Sequence, residues 1–306
     1  MGKNSSIYEE KTIYAFYKSI FTPALRPAFN RVIPSIFYNF FLRQYHAAFM
    51  KRIPITNVDH PLDEKIPFVP SWVVIYLDFV QFWIRILSFF LRKYGRKAYT
   101  PIKEFIDSIG NLYSYAAEVY KKNLSTTKRP FYISRPRFFL IHLVDPHLMC
   151  VPSLHVMIAI RAYTMFIAIA GKLGVENELK DTITEMKQGA LAICQAILFV
   201  KQHSVNCIPA ALYAMTCFDE KNFPPEEAER FTMQLFSPAP DAGKMPRGCR
   251  VHPAAAPSTK IPEEDQTQIK NHILSLYYRF LAERKTVKTW DEVLVKFLRE
   301  YSNKKC

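Results

Sequence analysis

The chain has 306 residues, of which 49% are apolar, 14% aromatic and only eight glycine, a balance that favours helices over a sheet-rich fold. Its six cysteines (Cys150, Cys194, Cys207, Cys217, Cys249 and Cys306) show no CxxC or CxH spacing, which argues against the usual zinc sites and a small disulfide scaffold and leaves buried thiols. A formal charge of +14 asks for an anionic partner, and nucleic acid and anionic lipid are the usual candidates.

Residues 1–60 carry amphipathic helical patches broken by Pro23, Pro27, Pro34 and Pro54. The aromatic segment from Ile33 to Met50 has Arg31, Arg43, Lys51 and Arg52 near its ends, and suits either a membrane interface, which its polar content makes easier, or a membrane crossing. Basic residues flank apolar aromatic runs, as in Phe40-Phe41-Leu42-Arg43 and Phe90-Leu91-Arg92-Lys93. Long basic side chains beside aromatics favour an anionic membrane over nucleic acid, for which there is charge but no recognisable motif.

A proline-rich entry, Pro61 to Pro70, leads into a mostly apolar stretch from Trp72 to Leu91. That stretch is long enough, as a helix, to span the ~30 Å hydrocarbon core, although a buried helix in a soluble bundle has the same pattern. Asp78 and Arg85 interrupt it; seven residues apart, they share a helix face and are placed to pair or to face a protein interior. Arg92 to Lys128 reads as a polar amphipathic helical region, followed by the basic, proline-rich loop Lys128 to Arg137. The segment Phe138 to Val144 is apolar, a helix is expected from His155 to Leu173, Glu176 to Lys187 reads as a charged connector, and Gly189 to Phe218 is apolar again. The expected organisation is a basic amphipathic region (1–60), a helical core (61–218), a Pro-rich linker or insertion (219–265) and a C-terminal helical hairpin (266–306), in a membrane protein with several spans.

The stretch that carries chemistry is Pro152-Ser153-Leu154-His155, with Lys201-Gln202-His203 downstream and Lys128-Arg129-Pro130 upstream. Two imidazoles and a cationic loop suit phosphoryl transfer without a metal: one ring attacks, one protonates the leaving group, and fixed positive charge holds the phosphate oxygens.

Lys122 followed after six residues by Arg129-Pro130, then Pro152-Ser153-Leu154-His155, then a distal His203, resembles the signature of the type 2 phosphatidic acid phosphatase superfamily, which includes inositolphosphotransferases and vanadium haloperoxidases. The family pattern is Lys-x6-Arg-Pro, Pro-Ser-x-His and Ser-Arg-x5-His-x3-Asp, and the resemblance covers residues 60–217. It implies an all-α, membrane-associated helical bundle of the phosphatidic acid phosphatase and haloperoxidase type, acting on a phosphorylated lipid with no cofactor. By position, it implies His203 as nucleophile, His155 as the acid for the leaving oxygen, and Lys122, Arg129 and Ser153 as ligands of the phosphate oxygens.

The third motif departs from that pattern. Ile197 stands where arginine is expected, Ala196 where serine is, and Cys207 where the aspartate that orients the nucleophile is. A thiol is mostly neutral at pH 7 and a poor acceptor. Neutralising the orienting aspartate of a serine protease costs about 10⁴ in rate. Two expectations follow: a working phosphatase or phosphotransferase, or a catalytically impaired relative that binds lipid phosphate or anions at a membrane. His142 and His147 fit no common metal-ligand spacing and read as helix-end or loop residues.

Overall fold

The computed structural model describes residues 6–50, 52–132, 136–237 and 261–303, and with 73% helix and 3% strand it agrees with the all-α expectation. The N-terminal region folds as α1 (Thr12–Phe21), α2 (Arg26–Ile36), a π-helical turn (Phe37–Leu42) and α3 (Arg43–Met50). Pro27 sits in the first turn of α2, where its missing N–H costs nothing. A short strand, β1 (Ile55–Asn57), pairs in parallel with β2 (Leu124–Thr126) in the register Thr56 to Ser125.

The apolar stretch from Trp72 to Leu91 is divided at Asp78 into α4 (Val73–Leu77) and α5 (Phe79–Tyr94), at a bend of 40°. The Asp78 carboxylate takes both arms of the Arg85 guanidinium (2.7 and 2.8 Å), and both side chains are buried. The pairing expected from their spacing is therefore made. Burial pushes the Asp78 carboxyl up, against the pull of Arg85.

Next come α6 (Tyr99–Tyr120), α7 (Pro136–Val144) and α8 (Leu154–Leu173). Helix α8 matches its expected range within one residue and packs against α5, α6, α9 and α10. It ends at Gly174, whose φ of +69° is left-handed; the N–H groups of Gly174 and Val175 close onto the carbonyls of Gly171 and Ala170. Its buried charge, Arg161, is held by Asp219 and Ser108.

Helix α9 (Lys180–Phe199) begins inside the expected charged connector. Thr182 and Met186 are buried there at helical spacing, so packing outweighs the polar composition. Helices α10 (Cys207–Phe218), α11 (Pro225–Met233), α12 (Glu263–Arg284) and α13 (Trp290–Asn303) complete the chain. Helix α11 lies in the expected linker and buries Ala228 and Phe231; the rest of that linker, residues 238–260, lies outside the described residues. The expected C-terminal hairpin forms from α12 and α13, and docks on the core, where Tyr213 Oη donates to the Trp290 carbonyl at 2.8 Å.

Several membrane spans are not supported. Among the described residues one helix, Leu154–Leu173, is long and apolar enough to cross a bilayer, and 78% of its apolar window is buried inside the protein. At most one more is gained if the bent segment around Asp78 is taken as a single span. The exposed large apolar side chains lie instead mainly at the N-terminus: Ile13, Phe16, Tyr17, Ile20 and Phe21 on α1, Ile33 on α2, Phe37, Tyr38, Phe41 and Leu42 on the π-helical turn, and Phe49 on α3.

Breaking a buried ion pair from one side strands a charge, which typically costs 3–5 kcal/mol. Arg85→Met is thus expected to lower unfolding free energy by about that much. Asp78→Asn combined with Arg85→Met should cost less, as read by denaturant titration of both variants.

Candidate active site

The motif turn is built from the backbone outward. Strand β2 holds the loop before α8: Ser125 N donates to the Leu148 carbonyl, Cys150 N to the Ser125 carbonyl, and Val151 N to Ser125 Oγ at 2.7 Å. The Tyr120 hydroxyl, from the end of α6, donates to the Pro152 carbonyl. Ser153 then occupies the N-cap position of α8. A serine there ordinarily accepts from a first-turn N–H. Ser153 makes no such bond; its Oγ is fully buried and has no hydrogen-bond partner among the described residues. An idle hydroxyl at the positive end of a 20-residue helix is a feature suited to an anion.

His155, two residues on, is clamped between aromatic rings, stacked on Tyr76 (centroids 4.3 Å) and tilted against Phe79 (4.1 Å). Its ring lies 5.5 Å from that of His203. His203 is carried by the turn between α9 and α10, where the N–H groups of both Gln202 and His203 bond to the Ile197 carbonyl. Ile197 thus shapes the turn through its backbone, and its side chain is buried. Lys201 takes a left-handed φ of 53° to complete the turn. His203 is buried, and its Nδ1 has no hydrogen-bond partner among the described residues.

Arg129 reaches the same place from the basic loop, donating to Gln202 Oε1 (3.1 Å) and the Asp145 carbonyl (3.0 Å). The structure therefore brings together Arg129, Ser153, His155 and His203. Lys122 is held elsewhere, its ammonium in an ion pair with the buried Asp291 of α13. Cys207, the first residue of α10, is a fully buried thiol whose pKa burial pushes well up, so it carries no charge to offer His203.

Two further groups belong to this cluster: Asp145, which the motifs do not include, and His147, expected as a loop residue and found in the loop after α7. Asp145 Oδ1 accepts from His147 N at 2.9 Å, and Oδ2 lies 3.9 Å from His147 Nδ1 and 3.8 Å from Arg129. His147 is buried, shares a 2.8 Å hydrogen bond with Thr127 Oγ1, and forms a T-shaped pair with the His203 ring at 6.2 Å between centroids. The signal in the sequence was proximity: Asp145-Pro146-His147 lies just before the Pro152 motif. The side chain of His142 lies outside the described residues.

Burial sets the electrostatics. It lowers His155 to about 4, with Asp145 opposing and His147 adding to the drop. It pushes His203 well below the usual imidazole value, helped by the positive charge of His155 and His147 and opposed by Asp145 and the Cys150 backbone. Burial alone would raise Asp145, but hydrogen bonds from His147 and the charge of Arg129 hold it well below the usual carboxylate range. At neutral pH the site thus holds uncharged imidazoles, an arginine and one carboxylate. A separate groove of about 680 Å³, lined by Tyr115, Cys217, Arg284 and Trp290, includes none of these residues.

Comparison of the chain with protein-family models, with curated proteins and with solved structures gives no match.

Imidazoles kept neutral in the fold but free to charge when unfolded make stability depend on pH. Between about 6.5 and 4 the unfolded chain binds more protons, so stability is full above that window and is lost as pH falls through it. His155 and His272, both lowered to about 4, are each expected to contribute up to roughly 3 kcal/mol to this loss. Melting temperature recorded against pH should fall across the window, and less steeply in His272→Gln.

Proposed function

We propose that this protein is a metal-independent phosphatase or phosphotransferase of the phosphatidic acid phosphatase type, acting on a phosphorylated lipid through His203. The observation that carries the reading is the pair of buried atoms without a hydrogen-bond partner among the described residues, Ser153 Oγ and His203 Nδ1, beside His155 and His203 rings whose centroids lie 5.5 Å apart. Burying a polar atom without a partner typically costs 1–3 kcal/mol, a cost that a bound ligand would remove.

In the proposed reaction a nitrogen lone pair of neutral His203 forms a bond to phosphorus. The bond from phosphorus to the leaving oxygen breaks, and its electron pair stays on that oxygen, which takes a proton from His155. A bound phosphate dianion favours the imidazolium form of His155 by Coulomb attraction, which opposes its desolvation. Arg129, Ser153 Oγ and the first N–H groups of α8 steady the phosphate oxygens. Water or an alcohol then attacks the phosphohistidine, gives its proton to His155, and frees His203.

The lipid part of the reading rests on the N-terminal surface. From Lys11 to Arg52 the chain has seven basic residues and no acidic one, alongside the exposed apolar side chains of α1 to α3. That combination fits an anionic lipid surface. Gln44 of α3 bonds to Asp145, so this region adjoins the site, and Phe131, two residues from Arg129, is 87% exposed. The catalytically impaired relative stays in view because of Cys207 and because Lys122 is engaged by Asp291.

Detergent-purified protein is expected to release phosphate from phosphatidic acid without divalent metal, and His203→Ala to lose at least about 10³-fold in kcat. Equal release by both proteins, or none by either, would favour the impaired relative. Separately, Phe37→Glu and Phe41→Glu should each weaken co-sedimentation with phosphatidic acid vesicles by roughly tenfold, since burying a Phe contributes about 1.5–3 kcal/mol.

A further inference from the structure

Resting on the reading of the site as a histidine phosphoryl-transfer centre, we propose that Asp145, acting through His147, is the positioning carboxylate that stands in for the one missing at Cys207. The geometry is specific. Asp145 sits at the end of α7 with one oxygen on the backbone N–H of His147 and the other facing both His147 Nδ1 (3.9 Å) and Arg129 (3.8 Å). Thr127 fixes the far side of the His147 ring at 2.8 Å, the Asp145 carboxylate lies within ion-pair distance of the near side, and the rings of His147 and His203 form a T-shaped pair. The backbone of His147 takes a φ of 60°, a left-handed conformation that costs a non-glycine residue of order 1 kcal/mol or more and that surrounding structure must impose.

Charge supports the same assignment. Asp145 is ionised throughout the working range, and its charge favours the protonated form of His147, His155 and His203. Attack by His203 leaves that ring positive in a low-dielectric surrounding, where a nearby fixed anion matters most. Cys207 contributes no such charge, because its thiol is buried and its pKa is raised. In this arrangement Asp145 touches no reacting atom; it sets the orientation of His147 and the field around His203.

The test is a four-member cycle in the full-length, detergent-purified protein: the native chain, Asp145→Asn, Cys207→Asp and the double variant, each assayed for kcat and KM on phosphatidic acid with a thermal melt alongside. Asp145→Asn keeps an acceptor for the His147 N–H, so the fold is retained. It is expected to lower kcat by on the order of 10²–10⁴ with little change in KM. Placing a carboxylate at position 207 should then recover at least about tenfold in the Asp145→Asn background and much less in the native one, a coupling that a merely structural role does not produce. Unchanged kcat in Asp145→Asn, or the same gain from Cys207→Asp in both backgrounds, overturns the proposal. A native protein whose phosphate release is absent or indifferent to His203→Ala defeats the reading of the site instead. In that event ¹⁵N-histidine spectra still decide the linkage: Asp145→Asn should shift the His147 and His203 ring signals, and unshifted signals reject the role of Asp145.

Discussion

Helix α8 is enclosed by α5, α6, α9 and α10, and everything at the candidate site depends on that enclosure. A packed helix has one axial position, so its N-terminal turn is fixed to within the tolerance of its neighbours. Ser153 and His155 sit on that turn, and β2 and Tyr120 secure the loop that leads into it. The second histidine arrives on the turn between α9 and α10, both of which pack on α8. One packing arrangement therefore sets the distance between His155 and His203.

The same enclosure decides the chemistry available. Removing imidazoles from water disfavours their charged forms, so His155 and His203 are neutral near pH 7. A neutral ring is a nucleophile and an imidazolium is not, so in the proposed reaction desolvation would prepare attack while making the acid role dependent on a bound anion. Arg129 supplies the permanent charge that complements such an anion, and the start of α8 adds its dipole. Lys122 is drawn to Asp291 on the C-terminal hairpin and contributes to docking of that hairpin instead. Around this interior, the N-terminal helices present a cationic and apolar surface.

Much of the fold was legible because helical periodicity is local. The range of α8, the presence of a C-terminal hairpin and the pairing of Asp78 with Arg85 all follow from spacing along a single helix, whereas α12 starts at Glu263, inside the expected linker. The errors came where tertiary packing overrode composition. The charged start of α9 and the acidic start of α11 looked like linker, yet Met186 and Phe231 bury from them. The expected spans failed for a related reason: apolar helices that read as lipid-facing are covered by other helices. At the site, the motif residues Arg129, Ser153, His155 and His203 could be named from the sequence. For Asp145 and His147 the sequence offers only their nearness to the Pro152 motif, since Asp-Pro reads as a helix breaker and the contacts of His147 with Thr127 and His203 join separate elements.

The most direct test of a histidine nucleophile is to trap the phosphoryl group on it. The protein would be mixed with ³²P-labelled phosphatidic acid, quenched in alkali within the first turnover and digested. The expected result is a label that is stable to alkali and labile to acid, located on the peptide that contains His203 and missing from His203→Ala. Phosphate release with no labelled peptide at any quench time, or a label that persists in His203→Ala, would contradict attack by His203.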